Sequence, residues 1–389
     1  MTMKIYLNKN VYTAALERVR WIFEEFPNVI VGHSGGKDSV IVFNLALQVA
    51  RELDRLPVNV LWIDQEAEWQ ATEDLMKKVF TREDVNPYWL QVPFRVTLAT
   101  NYEDKFFYCW DPDKEEQWVR PKSELSFKEN VYGFDKYIGE TFNRFIRYTF
   151  KDEKAALIGG VRCEESPARN LSLTGQATYK WATWGKTITK GLHYSLYPIY
   201  DWSYMDVWKA IHENGWDYNR LYDAQYQLGL GVNNMRCAPQ IHETGIWNLF
   251  YMQEFEPDTH DRLAARQAGI DSATKFGLSD FYPKKLPTMF ASWKEYRDYL
   301  LEKLIEDDDT KEIFRKKFAE HEKIFSLNDK LFGTSENETA HARHVNAIIA
   351  NDWFCTKLDN LKAGWDNKVK RAARREYLKQ EGLSDVPSD

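Results

Sequence analysis

Apolar residues recur at helical spacing from Leu16 through Val19, Ile22, Phe23 and Phe26, which predicts an amphipathic helix stopped at Pro27. The short apolar run at 29–31, closed by Gly32, predicts a buried strand. After a glycine-rich turn, residues 39–53 are apolar nearly all round, and beyond Pro57 the run at 58–64 predicts a second buried strand. A helix over about 71–80 and a third strand at 88–92 follow, then a helix over 134–150 and a fourth strand at 155–158 ending in Gly159-Gly160. Strands that are continuously apolar, alternating with helices, imply an α/β fold: a doubly wound, mainly parallel sheet covered on both faces.

Between these segments the pattern changes twice. Residues 97–130 are a mixture of charges and aromatics, which suggests an insertion or a lid. Residues 203–214 predict a further helix, with Ser203 and Asp206 at capping-box spacing. Beyond Pro283 the stretches at 292–305, 311–325, 338–354 and 366–380 all have helical periodicity. The chain is therefore expected to comprise an α/β domain at 1–240, a connecting segment at 241–282 and an α-helical C-terminal extension at 283–389.

The residues richest in chemistry are His33-Ser34-Gly35-Gly36-Lys37-Asp38-Ser39, set between a buried strand and an apolar helix. Adjacent glycines let backbone N–H groups approach an anion closely, and the helix N-terminus adds partial positive charge at the same point. Ser34 and Ser39 bring hydroxyl donors. Lys37 brings a full charge if it is not turned to solvent. The P-loop pattern G-x-x-x-x-G-K-[ST] fails because Asp38 follows the lysine, and the Rossmann G-x-G-x-x-G fails as well.

The string SGGKDS resembles instead the signature of the PP-loop ATP pyrophosphatases, which include sulfonucleotide (phosphoadenosine phosphosulfate) reductases and ATP sulfurylase small subunits. Three further segments are similar to that family. LWIDQEAEW places Asp64 where an acid contacts ribose or adenine, unless it merely caps the next helix. GGVRCEESPAR, residues 159–169, resembles an element whose arginines meet phosphate or sulfate, and YPIYDWSYMDVW is similar to the family's D-V-W helix, with Trp202, Val207 and Trp208 read as core. The whole most resembles a phage and prophage branch that includes the immunoglobulin-binding-protein expression regulator A. The resemblance implies an adenine nucleotide alpha-hydrolase-like (HUP-type) fold. It further implies catalytic roles for Lys37, Asp38 and Arg162, and nucleotide contacts from Ser34, Gly35, Gly36, Ser39, Asp64, Gly160, Arg162, Glu165, Ser166, Arg169 and Arg236. ATP or a related adenine nucleotide with Mg²⁺ is the implied ligand, and a ParB-like protein is a partner by analogy.

Departures from the reductases are as informative. Their tail cysteine is missing, since this chain ends EGLSDVPSD. The four cysteines, Cys109, Cys163, Cys237 and Cys355, are too scattered for an iron–sulfur cluster or a local metal motif and are expected to be free thiols. Cys163 lies between Arg162 and Glu164, where positive charge would lower its pKa, although a buried inert thiol is the simpler reading. His341 and His344, at i and i+3, are expected at the surface, since no further metal ligands are evident.

Composition adds bounds. A length of 389 residues suggests two or three folding units, and 43% hydrophobic with 15% aromatic content excludes a disordered chain. No apolar run long enough for a membrane span occurs and the N-terminus lacks a leader pattern, so a cytoplasmic protein is expected. The net charge is −7, yet residues 357–379 hold eight Lys/Arg against three Asp/Glu. Two functions compete. One is an enzyme that cleaves a nucleotide at its α-phosphate, adenylating an acceptor and releasing pyrophosphate, or that binds a preformed sulfonucleotide in the same cradle. The other is a nucleotide-binding regulator whose basic C-terminal helix meets an acidic partner, nucleic acid or a second copy of the chain.

Overall fold

The computed structural model describes residues 7–352, apart from 102, 128, 136–140, 233–234, 242–244, 282, 284 and 333–336, together with Asp359, Ala373 and Glu376. The chain divides into two compact units: residues 1–96, 107–240 and 248–267 form the first, and residues 97–106, 241–247 and 268–389 the second.

The first unit opens with α1 (Val11–Glu25), β1 (Asn28–Gly32), α2 (Lys37–Glu52), β2 (Val58–Ile63), α3 (Gln70–Phe80) and β3 (Val85–Leu90). Two short strands, β4 (Phe94–Thr97) and β5 (Phe106–Cys109), pair with each other in a separate sheet. There follow α4 (Thr141–Phe150), β6 (Ala155–Ile158), α5 (Pro167–Thr174), β7 (Gly185–Thr189), β8 (His193–Leu196), α6 (Tyr204–Asn214), α7 (Leu221–Gln227), α8 (Leu249–Phe255) and α9 (Pro257–Arg266). The main sheet has the order β3-β2-β1-β6-β8-β7 and is parallel except for the β7–β8 edge.

This order reverses direction between β1 and β6, where Val31 pairs with Ile158. In an open α/β sheet such a reversal leaves a crevice beyond the carboxyl ends of the two strands. The glycine turn after β1 and the Gly159-Gly160 segment after β6 therefore emerge side by side. Apolar packing holds them there: α2 buries Val40, Ile41, Val42, Phe43, Leu45, Ala46, Leu47, Val49 and Ala50. Trp202 and Val207 lie in the same core, as the sequence suggests. Ser203 and Asp206 form the reciprocal cap of α6.

The structure departs from the sequence reading in three places. The β7–β8 hairpin was not foreseen, because the short strands GKTIT and HYSL mix polar and apolar positions. The expected insertion or lid at 97–130 is not exposed throughout: Phe107, Cys109, Trp110, Val119 and Arg120 are buried, while residues 112–117 are exposed. Residues 248–267 return to the first unit, so the division differs from the expected boundaries at 240 and 282. The reason is electrostatic as well as apolar. Glu256 accepts from the Gln70 and Ala71 amides at 2.6 and 3.0 Å, satisfying the first turn of α3, and Arg266 Nε donates to buried Glu66 at 3.0 Å.

In the second unit, α10 (Ile270–Phe281) falls in the expected connecting segment and was not foreseen, whereas α11 (Trp293–Leu304), α12 (Asp308–Phe332) and α13 (Asn337–Ile349) correspond to the expected stretches at 292–305, 311–325 and 338–354. Leu301, Ile305, Phe314, Phe318, Ala347 and Ile348 form its core. His341 and His344 are buried, contrary to their expected surface position. Arg297 Nη1 lies 3.1 Å from His341 Nδ1, and His321 Nδ1 lies 3.2 Å from His344 Nε2, so the histidines extend a polar layer between helices. Burial, with help from the neighbouring cations, pushes His344 down to about 2. The helix expected at 366–380 and the basic segment at 357–379 fall almost entirely outside the described residues.

Glu256 serves α3 as an N-cap provided by a distant residue. Glu256→Ala is expected to destabilise the protein by about 1–2 kcal/mol, the usual cost of a lost cap, measured by urea unfolding of the full chain.

Candidate functional site

The glycine turn is shaped by close approach. Gly35 has φ +72°, a conformation that favours glycine, and a Cβ there would meet Thr72 Cγ2 at 2.6 Å. Gly36 is the N-cap of α2, and a Cβ on it would lie 3.3 Å from Cys237 Sγ and 3.6 Å from Tyr222 Oη. Gly160 matters most, because its Cβ would stand 2.5 Å from the Asp38 carbonyl carbon and 2.8 Å from the Ser39 nitrogen. The segment after β6 is thus pressed against the first turn of α2, where amides have no carbonyl partner one turn back.

The polar groups of the turn organise one another. Ser39 Oγ donates to the Gly36 carbonyl at 2.7 Å, and the Ser34 amide donates to Ser39 Oγ at 3.3 Å. The Gly35 amide donates to His33 Nδ1 at 3.1 Å, which puts the imidazole proton on Nε2. Burial drives His33 down to about 3, so the ring is a neutral acceptor under the turn. Lys37 Nζ lies 3.0 Å from Asp38 Oδ2 and 5.5 Å from the Tyr222 ring centroid, and is held within the site instead of turning to solvent.

Arg162 joins the two strand ends. Its Nε donates to Asp38 Oδ1 at 2.5 Å and its Nη1 to Glu164 at 2.8 Å, while only Nη2 has no protein partner among the described residues. Glu165 accepts from the Arg162 amide at 2.8 Å and pairs with Arg169, and Ser166 Oγ caps α5 through the Arg169 amide at 3.2 Å. Glu165 and Ser166 therefore shape the turn that carries Arg162, and Arg169 is exposed. Arg236 is also exposed, and its carbonyl accepts from Gln225 Nε2 at 2.8 Å.

Asp64 does not present itself to a ligand as the sequence reading expects. It is 0% exposed, and its carboxylate accepts from the Glu66 amide at 2.9 Å, Trp89 Nε1 at 3.0 Å, Gln91 Nε2 at 2.9 Å and Arg120 Nη2 at 3.1 Å. Every lone-pair direction of the carboxylate is taken by the protein. Two neighbours the sequence reading passed over share this interior. Glu66 accepts from the Trp110 and Val119 amides at 2.6 and 3.2 Å. Glu68 is 3% exposed, and burial, aided by the charge of Asp64, raises it to about 8.

Tyr222 and Thr72 were also missed, whereas Cys237, which the resemblance puts in a substrate-contacting region, does lie beside the turn. Tyr222 Oη accepts from the Lys37 amide at 3.3 Å and lies 3.6 Å from Cys237 Sγ. Nothing local marks Tyr222 and Thr72, which reach the turn from distant segments. Burial raises Cys237 to about 11 and Cys109 well above the thiol range, and no disulfide joins the described cysteines Cys109, Cys163 and Cys237. Among the described residues no group of three His, Cys, Asp or Glu could hold a metal ion, and no helix is long and apolar enough to cross a membrane.

Two predictions test this geometry. Gly160→Ala is expected to cost about 1–3 kcal/mol through overpacking, whereas Gly159→Ala, whose Cβ would meet Tyr197 at an ordinary 3.5 Å, is expected to be nearly neutral in denaturant unfolding. Glu68 retains its proton in the fold after the unfolded chain has lost it. Its stabilising contribution is complete below pH 4.5 and fades as pH rises through about 8. Glu68→Gln should therefore match the wild-type melting temperature in acid and exceed it at alkaline pH.

Residues 28–231 match the model of the phosphoadenosine phosphosulfate reductase domain. The chain is 30% identical to the uncharacterized protein YbdN of Escherichia coli over 81% of its own length and 80% of that protein's. It is 21% identical to sulfate adenylyltransferase subunit 2 of Shewanella pealeana, covering 54% of this chain and 65% of that one. The solved FMN adenylyltransferase of Candida glabrata, in complex with FMN and an ATP analogue, aligns with a TM-score of 0.36 at 15% identity, over 61% of this chain and 71% of that one. These relatives come from cellular organisms and do not bear on the phage branch suggested by resemblance. The family match covers more than half of the sequence and spans both elements of the crevice, and the chain belongs to the phosphoadenosine phosphosulfate reductase domain family.

Proposed function

We propose that this protein binds ATP, or a related adenine nucleotide such as a sulfonucleotide, with its phosphates on the turn from Ser34 to Ser39. In the ATP reading it cleaves at the α-phosphate, transferring the adenylyl group to an acceptor and releasing pyrophosphate. The observation that carries this reading is the convergence of the glycine turn, the first turn of α2 and Arg162 at the sheet's reversal point. The adenylyl transfer in the name of the Shewanella relative supports it.

The chemistry asked of the chain is modest. A nucleophile on the acceptor attacks the α-phosphorus in line, the bond to the bridging oxygen breaks, and its electron pair leaves with pyrophosphate. The first-turn amides of α2 and the Lys37 ammonium lie where that negative charge develops. Arg162 fixes Asp38 and offers Nη2 to an anionic oxygen. Mg²⁺ neutralises phosphate charge when bound. Since Asp38 already meets Arg162 and Lys37, the metal would arrive chiefly on the phosphates themselves.

Thiol-dependent reduction does not fit the residues present. Cys237, the cysteine beside the turn, is held as a thiol by burial, whereas the attacking species in such chemistry is a thiolate. The alternative, a regulator acting with a ParB-like protein or nucleic acid, depends on residues 357–379 and gains no geometry from the described residues.

Calorimetry on the full chain with MgATP is expected to show binding that Ser39→Ala weakens and Gly36→Val abolishes. Arg162→Lys should lose about 1.5–3 kcal/mol of nucleotide affinity despite its retained charge, because one ammonium cannot replace the fork. No sulfite should be released from a sulfonucleotide with thioredoxin. Absence of heat with ATP, AMP and phosphoadenosine nucleotides alike would sink the assignment, and sulfite release lost in Cys163→Ser or Cys237→Ser would restore the reductase.

A further inference from the structure

β1 ends at Gly32, and the residue after it is fixed before the glycine turn begins. The His33 amide donates to the Leu61 carbonyl of β2 at 2.9 Å, so its backbone still belongs to the sheet. Its ring turns in under the loop, is 2% exposed and meets Phe43 of α2 edge to face, with centroids 5.5 Å apart and an interplanar angle of 67°. The imidazole is therefore held from two sides, by β2 through its backbone and by α2 through its ring.

A buried ring at such a place would serve packing alone if it were phenylalanine. Imidazole is a poor choice for that purpose, because its Nε2 has no hydrogen-bond partner among the described residues, a penalty that phenylalanine does not carry. What phenylalanine lacks is the lone pair on Nδ1. That nitrogen accepts the Gly35 amide at 3.1 Å. Ser39 Oγ also lies 3.4 Å from it, but the hydroxyl donates to the Gly36 carbonyl at 2.7 Å, so the lone pair serves Gly35 alone. Burial pushes the ring down to about 3, and protonation does not remove this acceptor near neutral pH.

The bond sorts the amides of the turn into two sets. Those of Ser34 and Gly35 point into the protein, to Ser39 Oγ and to Nδ1. Gly35, at φ +72°, then reverses the chain, and the amides from Gly36 to Ser39 belong to the N-cap and first turn of α2, where no carbonyl lies one turn back. Tyr222 Oη accepts the Lys37 amide. Without Nδ1 the Gly35 amide would be a buried donor with no acceptor, and rotating its peptide toward another would carry Gly36 along. We propose that His33 is a positioning residue for phosphate: through Nδ1 it holds the Gly35 peptide inward and so directs the amides of Gly36, Asp38 and Ser39 at the anion. His33 touches no ligand itself, and its role rests on the phosphate reading of the turn.

The test is calorimetry on the full chain with inorganic pyrophosphate and with MgATP, comparing wild type, His33→Asn and His33→Phe. Asparagine carries an oxygen where histidine carries Nδ1, whereas phenylalanine keeps the ring without the acceptor. His33→Asn is expected to bind both ligands within about threefold of wild type, and His33→Phe about tenfold or more weakly, the scale of a buried donor left unanswered. Packing alone would give the opposite order, since phenylalanine fills the space against Phe43 and asparagine leaves a void. Circular dichroism checks folding, and His33→Gln with His33→Leu, again alike in size and different in the acceptor, replace the pair if either variant fails to fold. The proposal is overturned if the variant without an acceptor binds as wild type does, or if the variant that keeps one binds no better than the variant that lacks it. Wild type that binds neither pyrophosphate nor MgATP removes the phosphate reading and this role with it, whereas binding that survives in His33→Phe removes the role alone.

Discussion

A carboxylate shut away from water has to be surrounded by donors, and Asp64 is the case on which this architecture turns. Its two oxygens collect an amide, an indole N–H, a side-chain amide and a guanidinium, and its carbonyl holds a second indole. These partners come from β3, from the segment after it and from residues 110–120. Losing one member of a buried ion pair typically costs about 3–5 kcal/mol, so the surrounding segments are tied to the end of β2 with little freedom. What reads in sequence as a loose charged insertion is thereby made part of the sheet's edge.

The glycine turn obeys a different rule, that of close approach. Its geometry depends on the missing side chains of Gly35, Gly36 and Gly160, each of which lets another segment in: Thr72 from α3, Cys237 and Tyr222 from beyond α6, and the backbone of Asp38 and Ser39. A neutral His33 beneath the turn accepts the Gly35 amide, and Arg162 bridges to Asp38 from the neighbouring strand end. The result is a preorganised turn whose donors, in the proposed reading, need little rearrangement to meet phosphate.

Much of this was legible in the chain. The strand at 155–158 is where its apolar run puts it, and β1, β2, α2 and α3 agree with the sequence reading to within two residues. Continuous apolar strands can only be buried between helices, and this follows from local pattern alone. β3 begins three residues earlier than expected, because Val85-Asn86-Pro87 is a weak apolar signal that pairing with β2 overrides. The antiparallel β7–β8 edge was invisible for a related reason: an edge strand faces solvent and does not need an apolar run.

The sequence by itself determined the turn, its place between strand and helix, and the pairing of that turn with a second element containing Arg162, because glycine placement and hydrophobic period are local properties. Tertiary structure alone decided what each charged group faces. Asp64 turned inward to Arg120, Arg162 turned to Asp38, Glu165 and Ser166 turned to the backbone, and Glu68 lost its contact with water. A side chain's role depends on the dielectric and the partners it meets, and although Glu165 and Ser166 meet partners three positions away, Asp64 meets Arg120 from 56 positions away and Arg162 meets Asp38 from 124. No local pattern encodes such partners. Only the packing of distant segments does.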